Sequence, residues 1–483
     1  MAPMTHMTTL AQVHAMLPGS QLLNISAKEA EKLMLSRVGT DSRQIDSGEL
    51  FIALSGERFD AHDFLGDIAN SGASAALVSD AKKCPATLPA VCVPDTRLGL
   101  GELAKAWRAS HAIPLALVTG SNGKTTVKEM IASIFKAAAG EAHTLVTKGN
   151  LNNEVGLPLT LLKLRSTDKI AVVELGMNHP GETAQLASIA QANIALINNA
   201  QREHQEFMET VAAVAEEHAD VIRALPNNGI AVFPVDSEFA GVWQEAAAGR
   251  KIIDFALSSE QSNSSATVSG YQLNDGRVRI NVGSQLIEVQ LNTLGSHNIR
   301  NALAATAVAL AADISLEKIK QGLEAFTPVN GRMQIKFSDA KYTLIDDSYN
   351  ANPDSVRAAI DALKQSGNTS WLVLGDMGEV GNQGPEFHRE VGAYAAEQGI
   401  TKVFALGEQC AFAVNGFDST KVNTDSRTKH FTSIENLISQ LQEELRMHLT
   451  GSNQHLNILV KGSRFMRMER VVQALLEEAK TCS

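Results

Sequence analysis

The sequence predicts an α/β protein of three units, and three observations carry that prediction. Its 483 residues exceed one ordinary core, and at roughly 150 residues per domain they divide into about three. Short apolar runs of strand length alternate with stretches of helical apolar spacing, the pattern of a mostly parallel sheet covered by helices. One of those runs feeds a glycine-rich loop that carries a lysine at the start of a helix, "TGSNGKTT" at 119–126.

In chain order, "LFIAL" (50–54), "AALV" (75–78) and "AVCV" (90–93) are separated by polar turns and read as strands of a small N-terminal α/β domain, 1–112. The helical "LGELAKAWRASHA" closes it, because Pro114 sits just before a new buried strand, "LALV" at 115–118. That strand opens a central unit, 113–328, continued by "IAVVE" (170–174), "IALIN" (194–198) and "IAVF" (230–233). After the Ser-rich "SSEQSNSSA", the alternating "VRINV" (278–282) and "IEVQL" (287–291) predict an antiparallel excursion at the sheet edge, and "NIRNALAATAVALAA" returns to helix. Past "FTPVNGR", the strands "YTLID", "WLVLGD", "VFALG" and "ILVKGS" predict a third, Rossmann-like α/β unit, 329–483.

Composition narrows the function. A net charge of −11 argues against a nucleic-acid partner, which needs clustered Lys and Arg. No run reaches the ~18 apolar residues of a membrane span, and the N-terminus lacks the basic opening and apolar segment of a signal peptide. Four cysteines, Cys84, Cys92, Cys410 and Cys482, show no C-x-x-C spacing, so neither a zinc site nor a disulfide framework is expected. A monomer in a reducing cytoplasm is expected, without a membrane partner.

The loop departs from the G-x-x-x-x-G-K-[ST] spacing, since Val118 stands where the first glycine would be. Its context is nevertheless complete. A buried strand precedes it, and a helix with Val127, Met130, Ile131, Ile134 and Phe135 on one face follows, ending near Gly140. Free N–H groups and the helix dipole favour a phosphate there, Lys124 adds a point charge, and Thr125 offers a hydroxyl to Mg²⁺. Glu174, at the end of "IAVVE", is placed to give the same ion an oxygen ligand. His204, after "IALIN", is a candidate for a second ion.

These motifs, with "VVELGMNHPGE", "GSHNIRNALAA" and "NGR" in the same order, resemble the ATP-dependent Mur ligases of peptidoglycan synthesis. The shorter phosphate loop is similar to the one that Mur ligases share with folylpolyglutamate synthases. "DDSYNANPDS" (346–355), "VLGDMGEVG" (373–381) and "LVKGSRFMRME" (459–469) resemble the branch that joins D-alanyl-D-alanine to UDP-N-acetylmuramoyl-tripeptide. The resemblance implies transfer of the γ-phosphoryl group of ATP to the peptide carboxylate, then attack of the dipeptide amine on the acyl phosphate.

It also implies roles. Lys124, Glu174, His204 and Arg332 would be catalytic; Thr125, Glu174 and His204 would hold Mg²⁺. Gly120, Ser121, Asn122, Gly123, Lys124, Thr125 and Thr126 would cradle the ATP phosphates. His297, Asn298 and Asn301 would meet adenine, Arg332 the γ-phosphate and Asp347 the ribose. Ser42 and Arg43, in "TDSRQIDSGELFIALSGERFDAHDF", would meet the UDP end of the substrate, and Asn350, Asn352, Lys461 and Arg464 its other parts and the dipeptide. One feature departs from the family. Many relatives carry a carbamylated lysine on the helix after the histidine, whereas no lysine occurs here between Lys169 and Lys251. Glu216, Glu217, His218, or a water they order, is therefore expected to supply the missing contact. Two rival readings stay open, a folylpolyglutamate-like ligase and a regulatory P-loop ATPase.

Overall fold

The computed structural model describes residues 6–56, 59–203, 205–261, 264–365, 367, 369–420 and 427–482. Among them the chain builds three sheets that follow one another in sequence, with a short two-stranded ribbon beside the first. The N-terminal sheet has five strands, in the order Gln21–Leu23, Ala90–Cys92, Ala75–Val78, Glu49–Ile52 and Arg37–Gly39; the first is antiparallel to its neighbour.

Nine strands form the central sheet. Leu115–Thr119 lies inside it, flanked by Ile170–Glu174 on one side and Ile194–Ile197 on the other, all parallel. Every residue of these three strands is buried, which is why each reads as a continuous apolar run rather than an alternation. Register sets Val118 opposite Glu174, and Thr119 opposite Ile197. The carboxyl ends are therefore level, and the loops that leave them gather at one edge, where open α/β sheets bind ligands.

The helix Lys124–Ala139 covers this part of the sheet. Val127, Met130, Ile131, Ile134 and Phe135 are fully buried on its inner face, and each contributes roughly 1.5–3 kcal/mol relative to exposure. Gly140, at φ 94°, ends it. Helix Leu316–Ala325 packs so closely across it that a Cβ on Gly322 would lie 2.3 Å from the Ile134 Cα.

At the far edge the antiparallel excursion is present, as Val278–Val282 and Gln285–Val289. The second strand begins two residues before the expected "IEVQL". Pairing of Val282 with Gln285 closes the hairpin over Gly283, at φ 56°, and so fixes where the strand starts. Strands Thr144–Val146, Lys251–Leu257 and Val268–Gln272 were not anticipated, the first because it is a three-residue edge strand and the others because partly exposed positions interrupt them.

The C-terminal sheet has six strands, ordered Gln334–Ser338, Tyr342–Asp347, Leu456–Lys461, Thr369–Gly375, Lys402–Leu406 and Thr428–Phe431. Only the first pairing is antiparallel, and helices cover both faces over two apolar clusters. Its edge strands, Gln334–Ser338 and Thr428–Phe431, carry few buried residues and leave no apolar run in the sequence. Among the described residues no helix is long and apolar enough to cross a membrane.

Candidate active site

A cleft of about 670 Å³ opens between the central and C-terminal sheets, lined by Ser121–Thr126 and by residues from both. Its floor is the phosphate loop. Gly120 and Gly123 take φ of 135° and 79°, a region that favours glycine. Space demands glycine as well: a Cβ on Gly120 would stand 3.0 Å from the Asn199 nitrogen, and one on Gly123 2.8 Å from Asn301 Oδ1. The helix that follows starts at Lys124 with no side chain capping Gly123, so its first N–H groups lack intrahelical partners and face the cleft.

The loop is held from beside by the segment that leaves Ile194–Ile197. Asn122 N–H donates to Asn199 Oδ1 at 2.8 Å, Asn199 Nδ2 donates to the Asn122 carbonyl at 2.9 Å, and Gln201 N–H donates to Ser121 Oγ at 2.8 Å. Asn198 Nδ2 donates to the Asn122 carbonyl and to Asn301 Oδ1, and Asn301 Nδ2 donates to Asn298 Oδ1 at 3.1 Å. Asn298 and Asn301 are therefore buried supports that tie helix Ser296–Ala311 to the loop. His297, beside them on the cleft wall, is neutral near pH 7, because burial pushes its pKa below the ordinary 6.5.

Two carboxylates flank the loop. Glu174 is 2% exposed. Its Oε1 accepts from Asn152 Nδ2 at 2.8 Å and from Thr125 Oγ1 at 3.3 Å. Its Oε2 is buried with no hydrogen-bond partner among the described residues. A buried, unsatisfied carboxylate oxygen beside a hydroxyl on the phosphate loop is the donor set that suits a hard divalent cation, so Thr125 and Glu174 fit Mg²⁺.

Glu203, on the other flank, is also buried. Its Oε2 lies 3.1 Å from Lys124 Nζ, and its Oε1 3.0 Å from His218 Nε2. Lys124 is thereby folded back on its own loop, donating also to the Gly120 and Ser121 carbonyls.

From across the cleft, Arg332 Nη2 donates to Thr125 Oγ1 at 3.3 Å, and its guanidinium sits 4.2 Å from the Tyr349 ring centre. Asn352 exchanges hydrogen bonds with Asn122 through their side-chain amides, at 2.9 and 3.3 Å, and caps the following helix through Ser355 N–H. Asp347 accepts from Met333 N–H at 3.0 Å and from Lys461 Nζ at 2.6 Å. Lys461 also donates to the Asn350 carbonyl, so its ammonium is already engaged. Arg202 joins the two sheets' units a second time: it pairs with Asp354 and Glu390, each at 2.6 Å.

Several expected residues lie elsewhere or are otherwise occupied. His204 falls outside the described residues. Arg464 is exposed, pairs with Glu469 and does not line the cleft. Ser42 and Arg43 sit in a turn of the N-terminal unit, where the Arg43 guanidinium grips Asp41 and holds that carboxyl well below the usual range. The expectation for the lysine-free helix, now Val211–Arg223, needs correction. Glu216 is exposed and pairs with Arg223. Glu217 accepts from Gly181 and Thr183 N–H groups, so it serves the start of helix Glu182–Ala190. Of the three, His218 is the one that reaches the flank of the phosphate loop, where it meets Glu203.

The reading from sequence overlooked Glu203, Asn152, Asn198, Asn199 and Arg202. The run of polar residues after "IALIN" was the available signal, since a polar segment leaving a buried strand at the binding edge has to find partners there.

Comparison with known proteins matches all three units. Residues 35–108 match the profile described as Mur ligase family, catalytic domain; 118–309 the Mur ligase middle domain; and 331–464 the Mur ligase, glutamate ligase domain. The chain is 38% identical over 467 residues to the UDP-N-acetylmuramoyl-tripeptide--D-alanyl-D-alanine ligase of Escherichia coli strain K12, covering 96% of this chain and 99% of that one. Its identity to the ligase of the same name from Bacillus subtilis is 32%, covering 92% and 94%. A crystal structure of MurF from Acinetobacter baumannii superposes with a TM-score of 0.85 at 32% identity, covering 97% of this chain and 99% of that chain.

Proposed function

The chain belongs to the Mur ligase family, and from that premise we propose that it joins D-alanyl-D-alanine to UDP-N-acetylmuramoyl-tripeptide at the expense of ATP. The observation that carries this reading is the cleft itself. An uncapped helix start, a lysine, a carboxylate with an unsatisfied oxygen and an arginine from the facing unit line one cleft.

A carboxylate is a poor electrophile toward an amine in water. The substrate carboxylate attacks the γ-phosphorus of ATP, ADP leaves, and the mixed anhydride then accepts the dipeptide amine and expels phosphate. Catalysis here is positioning and stabilisation of negative charge. The loop N–H groups of Gly123 to Thr126 bind phosphate oxygens, Lys124 turns from its own loop onto the β- and γ-phosphates, and Arg332 approaches the γ-phosphate from the opposite wall. Thr125 and Glu174 would hold Mg²⁺, with His204 assigned to a second ion; such ions neutralise charge on the transferring group when bound.

His297, with Asn298 and Asn301 behind it, forms the wall for adenine, and Asp347 is presented to the ribose by Lys461. Asn350, Asn352, Lys461 and Arg464 are assigned to the C-terminal side that receives the dipeptide, and Ser42 and Arg43 to the UDP end. The three units are read as 1–112, 113–328 and 329–483, acting as a monomer in the cytoplasm. A mass assay tests the reading: tripeptide nucleotide, D-alanyl-D-alanine and ATP should yield the pentapeptide nucleotide. Equal use of L-glutamate on a folate would favour the folylpolyglutamate-like reading, and phosphate release indifferent to the dipeptide would favour the regulatory ATPase.

A further inference from the structure

We propose that Tyr349 is a positioning residue for phosphoryl transfer, its ring holding the Arg332 guanidinium in place for the γ-phosphate. The inference rests on the ATP-dependent reading above, and it starts from how the cations of the cleft are paired. Lys124 meets Glu203, Lys461 meets Asp347, Arg300 meets Asp236, and Arg202 meets Asp354 and Glu390. Arg332 is the other Lys or Arg that lines the cleft, and among the described residues it pairs with no carboxylate. Its guanidinium lies 4.2 Å from the Tyr349 ring centre instead, and its Nη2 donates to Thr125 Oγ1 at 3.3 Å.

The difference has a chemical consequence. A carboxylate would fix the guanidinium but would compete with a phosphate for it. An aromatic face attracts the cation through its quadrupole and leaves the planar fork of N–H donors free for phosphate oxygens. The backbone sets ring and guanidinium in one frame. Tyr349 stands two residues past the end of strand Tyr342–Asp347. Its N–H donates to the Gly331 carbonyl at 3.1 Å, and Met333 N–H donates to Asp347 Oδ1 at 3.0 Å, so both neighbours of Arg332 are bonded to that strand end. Gly331 takes φ 72°, and a Cβ there would stand 3.1 Å from the Tyr349 nitrogen. The turn that carries Arg332 is thus pressed against Tyr349, and the ring fixes the side of the guanidinium that Thr125 does not.

The test separates the γ-phosphate from the rest of the nucleotide on the full-length chain. Affinities for a non-hydrolysable ATP analogue and for ADP are measured by calorimetry with Mg²⁺ present. Tyr349→Leu, which removes the aromatic face, should weaken the analogue by about 2- to 30-fold, the range of a cation–aromatic contact, and leave ADP binding unchanged. Tyr349→Phe keeps the face and should recover most of the loss. Added to Arg332→Ala, Tyr349→Leu should cost nothing further, because the ring acts through the guanidinium. Retained ADP binding shows that the variant is folded, and Tyr349→Gln, also without an aromatic face, carries the same expectation should the leucine variant fail to fold. Equal weakening of analogue and ADP would show that the ring serves the nucleoside, and an undiminished further loss in Arg332→Ala would show that it acts apart from the guanidinium. Either result would overturn the proposal, as would an analogue affinity unchanged by loss of the ring. A wild type that binds neither nucleotide would instead overturn the ATP-dependent reading, which keeps the two failures distinct.

Discussion

Glu174 and Glu203 flank the same phosphate loop from opposite sides, and they came to their places by different routes. Glu174 is the last residue of a fully buried strand, registered opposite Val118, so the backbone alone delivers its carboxylate to the loop. Glu203 lies past the end of Ile194–Ile197 in a segment without regular structure, and contacts with Lys124 and His218 help to set where it points. One carboxylate is placed by secondary structure and the other by tertiary contacts. Substitutions on the first flank should therefore act on chemistry and cation demand, and those on the second also on the joint between units.

The largest effects belong to the first flank and to the lysine both flanks share. Lys124→Ala and Glu174→Gln should each lower kcat by about 10²–10³-fold with thermal unfolding little changed, because the first removes a cation aimed at the transferring phosphate and the second a carboxylate that would hold the Mg²⁺ neutralising it. Steady-state kinetics beside calorimetry checks both, and near wild-type turnover in either variant would break the assignment of the loop. Glu203→Gln should cost less. The Glu174→Gln deficit should shrink in part as Mg²⁺ is raised, because the group lost there is a ligand for that ion.

Arg202, the neighbour of Glu203, sharpens the contrast further. It bridges Asp354 and Glu390 in the C-terminal unit, and its guanidinium also lies 5.2 Å from the Phe387 ring centre. Arg202→Ala leaves two carboxylates facing one another, although Arg357 still reaches Glu390. A loss of about 1–3 kcal/mol of stability is expected, read by denaturant unfolding, together with a raised KM for ATP.

The smallest effect is a pH dependence remote from both flanks. His388 is buried, its Nδ1 donating to the Gly384 carbonyl and its Nε2 accepting from Met377 N–H, so a proton on Nε2 would face a donor. Burial accordingly keeps its pKa below the ordinary 6.5, as it does for His297. As pH falls below about 6.5, the unfolded chain takes up protons that the folded chain refuses, so stability drops on acidification. Tm measured from pH 7.5 to 5.5 should fall, and His388→Gln should flatten part of the slope.

The same division between local and tertiary placement governs what could be read from sequence. The strands around the loop were legible because burial on both faces makes each one a continuous apolar run, and the helix Lys124–Ala139 because its apolar face repeats at helical spacing. Thr125, Glu174 and Arg332 were legible because they sit in or beside a motif, and the structure brings them together. Edge strands such as Thr428–Phe431 were not, since partial exposure erases the pattern. Glu216 and Glu217 drew attention by proximity to a missing lysine, but helix geometry turns them toward Arg223 and toward the start of Glu182–Ala190. Glu203 lay in the polar run after "IALIN", but Lys124 and His218, which it meets in the fold, lie 79 residues before it and 15 after it.

The central claim is that the substrate carboxylate is activated by phosphorylation, and isotope transfer tests it most directly. Tripeptide nucleotide labelled with ¹⁸O in its reacting carboxylate is turned over with ATP and D-alanyl-D-alanine, and the released phosphate is analysed by mass spectrometry. Attack of the carboxylate on the γ-phosphorus, followed by expulsion of phosphate by the amine, moves one ¹⁸O into each phosphate and leaves one in the new amide. Phosphate that carries no label would mean that water cleaved the ATP, and would contradict the account.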